Sequence, residues 1–318
     1  MIETLSAGYA AVNRQPWVLL LPIVLNLFLW LGPHVSYSPL VGPAVTSFTE
    51  WTRHAAIGPS PRPVVYDPEA INGLEQTRQW LIARSDDVNG FEALVWSPLG
   101  LPSVDGLPSN DESLAFVNGW GDGVSLLFAS LGLGLLLGGW FYGGLAGAST
   151  GKYGDPLNAC RRVPRAVVDV LGLVVVLLGA ALLLGLPVLL LIGFTALVSP
   201  PVAVLGSVLL LAGVMFATVH LFFSVPAIFV SQAGPLGAIQ RSVGLVRKHL
   251  WPSVALMALT WLILAGMSRV WDLLASDLQS PYGVILGILG NAYIASGLIA
   301  AAMVFYTQRS EQSRSGTT

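Results

Sequence analysis

From residue 124 onward the chain alternates long unbroken apolar stretches with short polar connections, whereas residues 32–123 hold no apolar run long enough to cross a bilayer. Five runs, 124–148, 167–198, 202–230, 251–274 and 283–306, each exceed the ~20 residues that a helix rising ~1.5 Å per residue needs to cross about 30 Å of hydrocarbon. A sixth run, 17–31, is shorter. The preceding LSAGYAAVNRQP is expected to extend it as a helix lying along the membrane surface. A cleaved signal peptide is the alternative there, since Arg14 precedes the run, but the following GPHVSYSP offers no small-x-small cleavage site. The pattern predicts an all-α integral membrane protein: six transmembrane helices with interfacial amphipathic helices and a small helical extracytoplasmic loop domain. Its divisions are 1–31 (surface helix and first span), 32–123 (loop domain), 124–307 (five-helix membrane domain) and 308–318 (disordered tail).

Prolines refine this outline. SPPV at 199–202 splits a very long apolar stretch into two spans joined by a tight hairpin, because proline cannot continue a helix and restricts the residue before it. Pro187 and Pro226 interrupt those two spans internally. In the loop, Asp67-Pro68-Glu69 reads as an N-cap, a proline in the first turn and an acid at the positive end of a helix, and Ile71, Leu74, Arg78 and Leu81 follow at helical spacing. VTSFTEWTRHAA is expected to form a second helix. A third is expected to start near Asp111 and Glu112 and run into the next span.

The charge distribution adds an orientation. Only 10 % of the 318 residues are charged and 54 % are hydrophobic, against roughly a quarter charged in soluble domains, so an ordinary globular enzyme is excluded. The net charge of −2 leaves no basic stripe for nucleic acid. Arg14, Lys152, Arg161, Arg162, Arg165, Arg241, Arg247, Lys248, Arg309 and Arg314 fall on one side of the six-span arrangement, ten of the fifteen basic residues. Basic residues near span ends mark the cytoplasmic side, so both termini are expected in the cytoplasm and residues 32–123 outside. That loop carries eleven acids and four arginines, a net charge of −7. Helical spans imply an inner (plasma) membrane, since outer membranes use barrels. The single Cys160 excludes an intrachain disulfide and a cysteine-built metal site.

Two connections on the basic side share a pattern. Pro156-Leu157-x-Ala159-x-x-Arg162 recurs as Pro235-Leu236-x-Ala238-x-x-Arg241, and each is predicted to begin a surface helix with proline at its first position. The second copy is amphipathic, with Leu236, Ile239, Val243, Leu245 and Leu250 toward acyl chains, Arg241, Arg247 and Lys248 toward headgroups, and Trp251 at the headgroup level. This suggests a duplication of 124–198 and 202–274. The stretch FFSVPAIFVSQAGPLGAIQRSVGLVRKHLWPSV, about residues 222–253, resembles the bacterial multi-pass families that include the membrane domain of glycerophosphoryl diester phosphodiesterases and the YciC-type proteins. There a proline-containing apolar turn leads into a Gly-Pro-Leu-x-Ala-x-x-Arg-Ser surface helix and then a span. The resemblance implies a six-helix membrane fold without the phosphodiesterase barrel.

Polar residues within spans are costly and are candidates for function. His220, Asp169 and Asn291 qualify. His220 reads as deep in the fourth span, either hydrogen-bonded across helices or serving as a ligand or proton carrier. Asp169 lies one turn from Arg165, which makes an interfacial ion pair the simpler reading than an ion site. Arg269 and Asp272 are expected to pair, and Asn26 and Asn291 to join helices. Gly139, Gly143 and Gly147 form a small-residue stripe suited to close helix packing, within the chain or across a homodimer. AGASTGKYG is not a phosphate loop, because Ala146 stands where glycine is required and Tyr153 follows Lys152. No catalytic, cofactor or metal motif is present. Three functions remain in play: a non-enzymatic scaffold or accessory protein docking a partner through the outer loop, a transporter or channel for a small or lipidic solute, and a lipid-headgroup enzyme. In each, membrane lipids are the surroundings and nucleic acid has no part.

Overall fold

A computed structural model describes residues 2–56, 68–87, 89–104, 107, 114–117, 119–151, 156–277 and 281–315. Asp67, Asp111, Glu112, Lys152 and the side chains of Asp272 and Arg314 lie outside the described residues, so the readings that rest on them are not addressed. The elements are α1 (Ile2–Arg14), α2 (Leu20–Leu31), β1 (His34–Ser36), α3 (Ser38–Ala56), α4 (Pro68–Asp87), β2 (Leu114–Phe116), α5 (Trp120–Ser149), α6 (Pro156–Ala180), α7 (Leu186–Val198), α8 (Pro200–Leu221), α9 (Ser224–Ser231), α10 (Pro235–Lys248), α11 (Leu250–Asp277) and α12 (Pro281–Ser315). The chain divides into two compact units. One comprises Met1–Ile23, Pro98–Asp105 and Leu135–Thr318, and the other Val24–Ser97 and Gly106–Gly134.

Among the described residues, five helical segments are long and apolar enough to cross a membrane: Trp120–Ser149, Pro156–Ala196, Pro200–Ser231, Leu250–Trp271 and Pro281–Gln312. They coincide with the five runs read from the sequence. The sixth requires α1 and the segment Pro16–Leu31 to act together across an 89° bend, since the 12 residues of α2 rise only about 18 Å. Prolines shape two of the long segments. A π-helical turn, Ala181–Gly185, joins α6 to α7 just before Pro187, where the proline ring would clash with the carbonyl four residues back. The α7–α8 hairpin turns at Ser199, and its leucines are largely exposed, Leu190 and Leu209 by 66 and 63 %. Such a surface is stable only against lipid tails or another apolar surface.

The first unit gathers around α12, whose Ala292, Ala295, Leu298, Ala300, Ala301, Met303 and Phe305 are buried. α1, read from the sequence as a surface helix, runs antiparallel against α12. Asn13 Oδ1 accepts from Tyr293 Oη at 3.2 Å, the Tyr9 and Tyr293 rings stand 5.4 Å apart, and Gly8 meets the backbone of Gly297 and Ala301. The reason is a stripe of small residues: Thr4, Gly8 and Ala11 recur at helical spacing and are buried, and they face the small residues of α12, so the two backbones approach closely. α12 also continues to Ser315, into the stretch expected to be a disordered tail. Arg309 caps the Phe305 ring at 5.6 Å and donates to Gln312 at 2.8 Å, local contacts that extend the helix beyond its apolar part.

Residues 98–104 belong to this same unit, a placement the sequence pattern did not anticipate. Leu99, Leu101 and Val104 are buried, and the Leu99 backbone lies against Gly138 of α5. Irregular backbone among apolar side chains needs hydrogen-bond partners, and Asn291 of α12 supplies one by donating to the Ser103 carbonyl at 2.7 Å. Asn291 therefore ties a non-helical segment to α12; it does not join two helices.

The second unit is not wholly helical. β1 and β2 pair in parallel, His34 opposite Leu114 and Ser36 opposite Phe116, so residues 114–116 form a strand where a third helix was expected. Asn89 organises the ribbon's surroundings. Its Oδ1 accepts from Val35 N and Phe91 N, each at 3.2 Å, and its Nδ2 donates to the Pro33 carbonyl at 3.3 Å. α3 and α4 pack as a pair, and both helices read from the loop sequence are present.

The α1–α12 contact gives a direct test. A Cβ at position 8 would fall 2.5 Å from Ala301 N and 2.6 Å from the Gly297 carbonyl, whereas one at Gly266 meets nothing within 4 Å. Gly8→Ala is expected to cost about 2 kcal/mol by overpacking, and Gly266→Ala to be neutral or stabilising by up to about 1 kcal/mol. Thermal unfolding of the two variants in detergent measures both, and equal midpoints would exclude the close approach.

Candidate functional site

The site is organised by a break in a helix. Pro226 lacks an N–H and its ring crowds the carbonyl of Phe222, so α8 ends at Leu221 and α9 begins at Ser224. Backbone groups freed at such a break are expensive in apolar surroundings. Ser242 of α10, fully buried, answers both: its Oγ accepts from Phe223 N at 3.1 Å and donates to the His220 carbonyl at 2.6 Å. One hydroxyl thereby fastens the basic amphipathic helix to the break.

His220 stands at that junction, in the last turn of α8. Its Nδ1 lies 2.8 Å from the Phe216 carbonyl, its ring packs on Phe216 with centroids 3.9 Å apart, and the residue is 9 % exposed. One ring nitrogen is engaged by its own helix. His220 lies within the long apolar segment Pro200–Ser231, as read from the sequence, at the break where α10 is fastened.

Below the break, α9 ends at Gln232, the one non-glycine residue with positive φ among those described, at 50°. This left-handed C-cap brings Ala233 N within 3.4 Å of the Ala227 carbonyl, the closure common at helix ends. The turn aims Ser231 and Gln232 at a cavity of about 700 Å³ between α5, α6 and α9. Gly139, Gly143 and Gly147 line one wall and Arg161, Arg162, Arg165 and Asp169 another. Arg165 Nε lies 3.9 Å from Asp169 Oδ2, the i,i+4 partner read from the sequence. Three arginines against one aspartate leave the wall at +2, and the arginines are exposed rather than committed to buried partners. Arg241 reaches the rim, donating to the Ser231 carbonyl at 3.3 Å.

The cavity thus brings together Asp169, Arg162 and the glycine stripe, with Arg241 beside it. The stripe has two roles. A Cβ on Gly139 would meet Val163 at 3.1 Å, and one on Gly143 would meet Ala159 at 3.8 Å, so these glycines let α6 approach within the chain while leaving space for the cavity. The first copy of the repeated pattern lines it, and the second lies beside it through Arg241. Pro156 and Pro235 open α6 and α10, Ala159 and Ala238 are buried at equivalent places, and Leu157 and Leu236 are exposed by 69 and 63 %. Arg247 and Lys248 sit in the last turn of α10, where cations favour the helix dipole, and are not among the residues lining the cavity. Asn291 and His220 also belong to structural contacts elsewhere. Ser242 and Gln232 were not anticipated. The signal for Ser242 was the serine after Arg241, which the first copy replaces with Val163; nothing at Gln232 distinguishes it from an ordinary polar turn residue.

His249 follows α10, its N–H returning to the Leu245 and Val246 carbonyls. Burial lowers its pKa, and Arg309 and Lys248 lower it further.

Compared with known proteins, the chain matches no family model, no curated protein and no solved structure. Its class rests on the fold: a predominantly helical, multi-pass membrane protein with five or six long apolar helices among the described residues.

Two outcomes follow from this geometry. Ser242→Ala leaves a buried N–H and carbonyl without their partner and is expected to cost about 1–3 kcal/mol, measured as a lowered unfolding midpoint, with Ser242→Thr restoring part of it; an unchanged Ser242→Ala midpoint would contradict the role. For His249, whose folded pKa lies below the unfolded value of about 6.5, the unfolded state binds more protons between the two values. Stability is therefore complete above about pH 6.5 and is lost as pH falls through the folded pKa. The fall in melting temperature between pH 7 and 5 should be shallower in His249→Gln than in the wild type.

Proposed function

We propose that the chain is a six-span protein of the plasma (inner) membrane with both termini in the cytoplasm, and that it is a non-enzymatic accessory protein whose working site is the arginine-walled cavity. The observation that carries this reading is the cavity itself: three guanidinium groups from one helix, hydroxyl and amide groups from another, and a glycine wall that leaves the space open. Guanidinium forks suit phosphate and carboxylate groups, which they can bind through two parallel hydrogen bonds. The clustering of Arg14, Arg161, Arg162, Arg165, Arg241, Arg247, Lys248 and Arg309 near span ends supports a cytoplasmic placement. In this reading the second unit lies outside the cell and docks a protein partner through exposed Trp51, Trp80 and Trp96, a residue type enriched at binding hot spots. Kinship with the glycerophosphodiesterase membrane domain and YciC-type families belongs to the same proposal, supported by the Gly-Pro-Leu-x-Ala-x-x-Arg-Ser pattern that α10 embodies.

A transport role keeps one supporting observation, the broken segment α8–α9, since discontinuous helices build substrate sites in many transporters. The contacts of His220 speak against that residue as part of a pathway. A cysteine at 220 in a Cys160→Ala background, slow to react with a water-soluble thiol reagent, would agree with a dry site; rapid labelling would favour transport.

The anion site has its own test. Purified protein in neutral detergent is melted with and without excess pyrophosphate. A ligand at about ten times its Kd stabilises by about 1.4 kcal/mol, or roughly 2 °C or more for a chain of this size. The rise is expected in the wild type and not in the triple variant Arg161→Gln/Arg162→Gln/Arg165→Gln, and its absence from both, with anionic lipid equally without effect, would overturn the site.

A further inference from the structure

We infer that the cavity holds the headgroup of an anionic phospholipid, gripped by the arginines of the first copy of the repeated pattern, with Arg241 of the second copy at its rim. The inference rests on the reading of the cavity as an anion site and adds the ligand class.

The depth of the cavity comes from α6. Its first half, residues 156–169, carries Arg161, Arg162, Arg165 and Asp169, and from Val170 the segment runs to Val198 without a charged residue. The arginines therefore stand where charged sequence passes into hydrocarbon-length sequence, the level of lipid headgroups. A phosphodiester there sits among guanidinium groups, while its acyl chains remain in register with the apolar part of the helix.

The lining is amphipathic in the same sense. The basic wall of α6 faces Phe229 and Val230 of α9 as well as Ser231 and Gln232. A soluble phosphate gains nothing from the apolar side, whereas the glycerol backbone and first methylenes of a lipid do, by leaving water. Leu157, one turn before Arg161, and Leu236, near Arg241, are largely exposed. An exposed leucine beside an arginine at the start of a helix is the arrangement of an interfacial helix, leucine in the acyl region and arginine at the phosphates. The volume of about 700 Å³ lies within the range of small-ligand sites.

Charge selects among lipids. The wall's excess of two positive charges favours a headgroup with a net negative charge over a zwitterionic one, whose own ammonium would meet the arginines. Arg241 extends the positive field to the rim without entering the cavity, through its hydrogen bond to the Ser231 carbonyl.

The experiment uses full-length protein, delipidated in neutral detergent and mixed with dioleoylphosphatidylglycerol or dioleoylphosphatidylcholine, with retained lipid counted by native mass spectrometry. Phosphatidylglycerol is expected to be retained at least about tenfold better than phosphatidylcholine, and the arginine-to-glutamine triple variant to lose at least about tenfold, as removal of charge-assisted hydrogen bonds predicts. Leu157→Ser/Leu236→Ser should weaken phosphatidylglycerol retention and leave the pyrophosphate melting shift unchanged, a split that a soluble-anion site does not produce. If the triple variant elutes as aggregate, Arg162→Gln alone replaces it with the same expected direction. Displacement of phosphatidylglycerol by millimolar pyrophosphate, together with insensitivity to the leucine substitutions, would overturn the lipid assignment and leave the anion site standing. Equal retention of both lipids by wild type and variant overturns the lipid assignment outright.

Discussion

A helix in apolar surroundings can stop and restart only if the backbone groups it releases find partners, and in this protein that condition is met by one hydroxyl. Ser242 takes the Phe223 N–H and gives its proton to the His220 carbonyl. The alternative, an unpaired amide and carbonyl in hydrocarbon, costs several kcal/mol per group. From this contact the rest of the basic end follows. It fixes α10 against α8, sets where α9 can run, and so places the Gln232 turn over the arginines of α6. Pro226 makes the break, and Ser242 makes it tolerable; neither residue alone accounts for the geometry.

The same accounting governs the other irregular part of the first unit. Residues 98–104 lie buried against α5 without forming a helix, and the close approach of Leu99 to Gly138 is possible because glycine presents no side chain there. Asn291 then pairs the Ser103 carbonyl. Asn291, like Ser242, thus serves to satisfy backbone. This explains why Asn291 and His220, the residues that stand out most in an apolar sequence, turn out to be occupied by nearby carbonyls.

What the sequence made legible follows from the strength of each signal. Runs of 24 or more apolar residues have no stable place outside a membrane or a large core, so all five long apolar helices could be read directly, and the prolines at 187 and 226 marked real irregularities. The Pro-Leu-x-Ala-x-x-Arg pattern located one helix that lines the cavity, α6, and one that lies beside it, α10, and Arg162, Asp169 and the glycine stripe belong to the lining. Tertiary pairing stayed hidden. The small residues of α1 suit a surface helix or a buried one equally, and only the matching alanines and glycine of α12 decide between them. Three residues of strand, Leu114–Phe116, carry too little pattern to be told from a loop, and their partner lies 80 positions away. Residues 98–104 read as polar loop because two prolines and a glycine dominate them, although their leucines are the buried part.

The cavity shows how an apolar fold can keep a charged space without paying the full cost of burying charge. Arginine in the hydrocarbon is expensive, and a closed cavity holding three of them would demand three partners; Asp169 supplies one. Here the arginines are exposed along α6 and reach the cavity from its edge, so each can remain hydrated while its fork stays within reach of a ligand. The glycine wall contributes the other half of the arrangement, since side chains at 139, 143 and 147 would fill the space that a headgroup needs. Gly139 and Gly143 also let α6 come close enough for its arginines to face α9. Helix packing and ligand space therefore depend on the same residues, and a substitution that fills the stripe should disturb both together, whereas one that neutralises an exposed arginine should alter binding and leave the packing intact.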